Sequence, residues 1–247
     1  MIDMGASSSS FLLAEANVDF MIHGLLKYHL FGQELWLTTT HVGMFLVSIV
    51  LMIFAVAVNR KIKKANAKDT PGTLQNIAEL VVEMLDKMVD GIMGARGRKF
   101  ANYILTLFLF ILFCNLSGLL GLRPPTADYG VTFGLGIITF CMIQFINIKD
   151  NKIGAFTGLF KPLPFLFPIN LIGEIATPFS LSLRLFGNIL SGTVLMALIY
   201  GLLPIFITLG IPSMLHIYFD IFSGVIQTYV FCMLTMVFVT DKMASEE

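Results

Sequence analysis

Residues 168–203 read PINLIGEIATPFSLSLRLFGNILSGTVLMALIYGLL, and their reading decides the fold. Only Glu174 and Arg184 carry formal charge in this stretch. At about 1.5 Å per residue these residues make a helix of ~54 Å. The hydrocarbon core of a bilayer is only about 30 Å thick. Such a helix cannot stand upright across it, so a strong tilt is the economical answer. Pro178 predicts a bend within it. Pro204, Gly210 and Pro212 mark a reversal, and a second apolar stretch over 213–240 returns. The pattern predicts a long, strongly tilted two-helix hairpin.

Upstream, the same reading gives upright transmembrane helices. No Asp, Glu, Lys or Arg occurs from Phe100 to Leu122, from Tyr129 to Ile148, or from Ile221 to Thr240. Runs this long exceed the roughly 18 apolar residues that suggest a membrane helix. A further span is expected over 38–58, and spans are expected over 100–122 and 129–148. The turn Arg123-Pro124-Pro125-Thr126-Ala127-Asp128 stops the second of these, because two prolines cannot continue a helix. Over 72–93, Leu74, Ile77, Val81, Leu85, Met88 and Ile92 recur at helical spacing. Glu79, Glu83, Asp86, Lys87 and Asp90 interleave with them, which makes an amphipathic surface helix too charged to span. The fold class expected is an all-α integral membrane protein, with a single membrane domain over 38–247.

Charge placement orients it. Arg60, Lys61, Lys63, Lys64 and Lys68 follow the first span, and Lys149 and Lys152 follow the third. Basic clusters of this kind mark the cytoplasmic side. The N-terminus is then expected outside and the C-terminus in the cytoplasm. Residues 1–37 lack a basic region followed by a compact apolar core, so they are expected to be retained, partly as a surface helix.

Composition narrows function. The chain is 56% hydrophobic and 13% charged with zero net charge, so nothing points to nucleic acid. No Gly-Lys pair exists to build a phosphate loop, and no His-Glu-x-x-His zinc motif occurs. Ser117, Ser191 and Ser223 lack a glycine two residues earlier, which removes the nucleophile signature of an intramembrane serine protease. Cys114, Cys141 and Cys232 lie singly in apolar runs and read as packing residues. Catalysis within the chain is not expected, and no cofactor is expected. No internal repeat is visible, which argues against duplicated transporter folds.

What remains is a set of polar groups at membrane depth, where they are costly and mark ion or substrate paths. Arg184 is the extreme case, since a guanidinium is always protonated. It either snorkels to an interface, pairs with Glu174 or Asp220, or serves transport. Asn188 lies one helical turn further on the same face, placed to bond a carboxylate, the arginine or a neighbouring helix. His216, Asp220 and Gln227 fall at spacings of four and eleven, which put them on one stripe of an unbroken α-helix. Gly187, Gly192, Gly201 and Gly224 permit either tight helix packing or a smooth face for a sliding partner.

The stretch Ser180-Leu181-Ser182-Leu183-Arg184-Leu185-Phe186-Gly187-Asn188 resembles subunit a of the bacterial F-type rotary ATP synthase. Asn115-Leu116 with Gly118, then Pro125-Thr126, resembles the family's third helix and outer turn. Gln227-Thr228-Tyr229-Val230-Phe231 with Leu234-Thr235 resembles its last helix. The resemblance implies an ion-translocating stator subunit in the bacterial plasma membrane. Its partners would be a ring of c subunits, the peripheral-stalk b subunits and the rest of the synthase. Arg184 would face the ring carboxylates between two offset half-channels, flanked by Asn188 and Gln227. Where many bacterial relatives carry a Glu, this sequence has Thr193; where they carry a His, it has Asp220. The titratable group of that pair is therefore expected at Asp220, with Glu174 and His216 assisting. The coupling ion implied is H+, with Na+ the alternative. The competing reading is a self-contained secondary transporter whose Arg184 binds an anion.

Overall fold

The structure, a computed structural model, describes residues 24–30, 33–64, 72–120, 123–152, 154, 160, 164–202 and 211–243. Among the described residues, five helical segments are long and apolar enough to cross a membrane: Thr39–Lys63, Ala95–Leu120, Tyr129–Asn151, Phe167–Ile199 and Met214–Lys242. The membrane part is all-α.

The surface helix expected within residues 1–37 is not found in the part of that segment that is described. Residues 24–38 form no surface helix but an antiparallel hairpin of β1 (Gly24–Leu30) and β2 (Gln33–Thr38). Tyr28 stands opposite Leu35, and His29 opposite Glu34. The reason is a period of two. Leu26, Tyr28 and Leu30 alternate with Lys27 and His29, and two residues, Phe31 and Gly32, separate the strands. Residues 1–23 lie outside the described residues.

Helix α1 (Thr39–Lys64) is followed by α2 (Thr73–Met93) and a 3-10 segment, Ala95–Phe100. Arg98 donates from Nε and Nη2 to the two carboxylate oxygens of Asp90, both at 3.1 Å. That pairing holds the Asp90 carboxyl below its ordinary value. It fastens the 3-10 segment to α2 and fixes where α3 (Ala101–Leu116) sets off. Leu85, Val89 and Met93 of α2 are buried in the core, whereas Ile77 is exposed, so the packing face is narrower than the apolar spacing suggests.

Helix α4 is Tyr129–Asn151, capped by Asp128, whose Oδ1 accepts the Gly130 N–H at 2.9 Å. Helix α5 runs unbroken from Phe167 to Leu202 with Pro178 inside it. The returning limb begins with the short α6 (Ile211–His216). It widens into a π-helix, Ile217–Ser223, and continues as α7 (Gly224–Lys242). The reversal between the limbs lies outside the described residues.

Contacts sort the helix ends into two layers. The end of α3, the Pro125–Ala127 turn, the start of α4 and the π-helix meet at one end, joined through Asn115, Thr126 and Asp220. The end of α4, the start of α5 and the end of α7 meet at the other, joined through Asn151, Glu174 and Lys242. Between them the core closes on Ile111, Leu185 and Met236, none of which reaches solvent. Helices α4 and α5 touch at Gly136. A Cβ there would sit 2.8 Å from the Pro178 carbonyl oxygen, so only glycine permits this approach.

Candidate functional site

Helix α5 has two faces. Leu181 and Leu185 are buried against the bundle. Ile172, Ile175, Phe179, Leu183, Gly187, Leu190, Val194 and Leu198 recur every three or four residues on the other side and are exposed. Arg184 is exposed on that apolar side. Among the described residues it makes no hydrogen bond or ion pair. Both pairings open to it at the level of sequence are absent, because Glu174 and Asp220 are engaged elsewhere.

Glu174 belongs to the layer of the α7 terminus. Its Oε2 accepts from Gln144 Nε2 of α4 at 2.5 Å, and its Oε1 pairs with the Lys242 ammonium of α7. A cavity of about 750 Å³ opens here, lined by Gln144, Asn147, Asn151, Glu174, Thr177 and Lys242 among others. Glu174 precedes Arg184 by ten residues, which is ~15 Å along a helix. Pro178 has no N–H to offer the Glu174 carbonyl one turn before it, so that carbonyl stands without its usual helical donor.

Asp220 belongs to the opposite layer. Its Oδ2 lies 2.7 Å from His216 Nδ1. A Cβ on Gly118, at the end of α3, would stand 3.8 Å from its carboxyl carbon. Nearby, Ser223 donates to Asn188 Oδ1 at 2.9 Å and ties the returning limb to α5 one turn beyond Arg184. The polar groups of the hairpin thus divide into two clusters, one in each layer, with Arg184 on the bare face of α5 between them along that helix.

The remaining expected residues fall out differently. Thr193 donates to the Leu190 carbonyl of its own helix at 2.9 Å, as Ser191 does to Asn188. These are local bonds and do not extend the clusters. Gln227 is buried, and its Nε2 has no partner among the described residues. The straight stripe from His216 through Asp220 to Gln227 does not carry through the π-helix, because a π-turn advances each residue by a smaller angle than an α-turn. The glycines split as well. Gly192 packs on Phe219 and Gly224 on Asn115, while a side chain at Gly187 would meet open space. Cys114 and Cys232 are buried as expected of packing residues, whereas Cys141 is exposed.

Gln144 and Lys242 are additions to the expected set, and so is Ser223, set aside above as a nucleophile. An amide in a charge-free span was the available signal for Gln144. Lys242 gives no such signal, being one charge among several in residues 241–247. A buried polar staple also emerges. Thr126 donates to Asn115 Oδ1 at 2.8 Å, and Asn115 Nδ2 donates to the Gly224 carbonyl and to Thr228 Oγ1, each at 3.2 Å. The staple joins Asn115 of α3 and Thr126 of the Pro125–Ala127 turn to Thr228 of α7, which lies 113 residues beyond Asn115.

The family described as ATP synthase A chain matches residues 41–240, which covers the staple, Arg184 and both clusters except Lys242. The chain belongs to the ATP synthase subunit a family. A sodium ion specific ATP synthase subunit a from Propionigenium modestum is 37% identical over 214 residues, 80% of this chain and 72% of that protein. ATP synthase subunit a 1 of Syntrophotalea carbinolica is 35% identical over 200 residues, 79% and 82% of the two chains. The subunit a of Desulforamulus reducens is 36% identical over 204 residues, 80% and 76%. Subunit a is a multi-pass component of the membrane sector of the synthase. It serves ion translocation and carries neither the nucleotide sites nor the catalysis.

Proposed function

We propose that this chain is the stator subunit in which Arg184 meets the carboxylates of a rotating c-subunit ring, between two offset half-channels. The observation that carries the reading is the exposure of Arg184, unpaired, on an apolar helix face. A guanidinium turned to lipid costs at least ~2.5–3.5 kcal/mol near mid-membrane and cannot shed its proton. A carboxylate arriving from a partner offsets that cost, and a face of Leu183, Gly187 and Leu190 lets it arrive and leave. The inner half-channel is the cavity at Glu174, and the outer one is the cluster of Asp220, His216 and Asn188. Gln227, with a buried donor to spare, supports the carboxylate while it is near the arginine. Thr193 completes the wall without titrating.

Cross-linking tests the face. A photoreactive residue at Leu183 is expected to capture the ring subunit, whereas one at Phe45, exposed on α1, is not. Equal capture from both sites, or lipid alone from Leu183, overturns the reading.

The coupling ion in this proposal is H+, because His216 and Asp220 are hydrogen-bonded titratable groups that relay protons without a cation cage. Asp220→Asn is expected to slow ATP-driven proton pumping several-fold while ATP hydrolysis by the soluble part continues. Unchanged pumping removes Asp220 from the path. Na+ is the second reading, favoured by the sodium ion specific relative. Loss of coupled transport on withdrawing sodium would establish it. Basic residues at the ends of α1, α4 and α7 support a reading in which the Glu174 layer faces the cytoplasm of a bacterial plasma membrane and the hairpin β1–β2 lies outside. The peripheral-stalk b subunits then cover part of the apolar surface of α1 and α2.

A further inference from the structure

Lys242 stands two residues beyond the stretch that matches the family, yet it joins the inner cluster through two contacts. Its ammonium pairs with Glu174 of α5. Its main-chain carbonyl accepts from Asn151 Nδ2 of α4 at 2.9 Å. Asn151 is itself fixed, donating to Asn147 Oδ1 at 3.0 Å. The lysine is therefore held at its backbone and delivers its charge into the cavity. Glu174 is held equally, with one oxygen taken by Gln144 and the other by Lys242.

We infer that Lys242 is a specificity-determining residue of the inner half-channel: it acts as a tethered counter-ion that reserves Glu174 for protons against metal cations. The inference rests on the ion-path reading above. A carboxylate in a cation path attracts any cation that fits. Here the counter-charge is already supplied by an ammonium that cannot diffuse away, and both carboxylate oxygens already accept a bond. A sodium ion at Glu174 must expel the lysine and find replacement oxygens for its lost water. A proton needs neither. It passes from hydronium to a Glu174 oxygen and leaves a water behind. The now neutral carboxyl releases the ammonium to the water of the cavity, and the reverse transfer restores the pair. The charged groups facing Glu174 are Lys242 and, in the same cavity wall, Asp241. Asp241 makes no ion pair among the described residues, and the Lys242 ammonium is paired with Glu174.

The test uses the complete synthase in sealed vesicles. ATP-driven acidification is followed across a series of sodium concentrations at fixed ionic strength. The native enzyme and Lys242→Arg are expected to be indifferent to sodium. Lys242→Gln, which removes the tethered counter-charge from Glu174, is expected to lose pumping several-fold as sodium rises. The double variant Glu174→Gln with Lys242→Gln is expected to regain indifference, because the carboxylate that traps sodium is gone. Sodium indifference in an assembled Lys242→Gln enzyme overturns the proposal. Uptake of radiolabelled sodium driven by the native enzyme also overturns it, and that arm needs no variant to fold. If the ion-path reading itself is wrong, Arg184→Ala vesicles stay coupled, a result that does not depend on sodium.

Discussion

Arg184→Ala is expected to reduce ATP synthesis driven by an ion gradient to background, while ATP hydrolysis by the soluble part of the complex continues. The loss is total because the arginine has no substitute nearby. Among the described residues, the other basic side chains of the hairpin are Lys242, committed to Glu174 at one end, and His216, bonded to Asp220 at the other. With the guanidinium gone, nothing on the bare face of α5 draws the proton off an arriving carboxylate. Nothing keeps the two clusters separate either. An applied potential is worth ~2.3 kcal/mol per charge per 100 mV, and without a barrier between the half-channels that energy drains through without work. Arg184→Lys is expected to be nearly as damaging, since an ammonium loses its proton far more readily than guanidinium when desolvated. Gradient-driven synthesis and hydrolysis measured in the same vesicles check both. Normal coupled synthesis in Arg184→Ala would sink the assignment.

How much of this was legible before folding depends on the residue. Arg184 announced itself, because a charge in an apolar run is expensive wherever the helix points. The direction it points was not legible. Leu181, Leu183 and Leu185 are alike in sequence, and only packing shows that the first and last are buried while Leu183 is exposed beside the arginine. The partners of Glu174 were hidden for another reason. Gln144 and Lys242 lie 30 residues before and 68 after it, and no local period connects them. Asp220 is expected from the sequence as the titratable group of its pair, but on a regular helix. The π-turn over Ile217–Ser223 has no sequence mark of its own and shifts everything after it. The strand pairing of residues 24–38 was written in a period of two but was overlooked beside longer apolar runs. The staple had a clearer signal. Asn115, Thr126 and Thr228 all lay in the stretches that resemble the family, and the structure gives the physical reason they belong together.

Gly136→Leu is expected to prevent stable assembly with the ring, and Gly136→Ala to lower the thermal stability of the purified subunit. The obstacle is backbone: the added carbon would lie 2.8 Å from the Pro178 carbonyl oxygen, and no rotamer change relieves it. Either α4 and α5 separate or Pro178 shifts. Overpacking of this kind costs about 1–3 kcal/mol before any loss of neighbouring contacts. Pro178 is already the weak point of α5, since its ring removes one helical hydrogen bond and leaves the Glu174 carbonyl open. A push at that point tilts the part of α5 beyond it, and Arg184 lies six residues on, or ~9 Å. Gly134→Ala is the control. It sits on the same helix with nothing within 4 Å of the added carbon, and alanine favours a helix over glycine by up to about 1 kcal/mol. It is expected to be neutral or stabilising. Melting in detergent and co-purification of the ring compare the three. If Gly136→Ala melts with Gly134→Ala and still synthesises ATP, the close contact is not what aims the arginine. If it melts early and what assembles leaks ions, then the position of the charge is set by the α4–α5 contact, in which a glycine, a proline and Glu174 lie within two helical turns of one another.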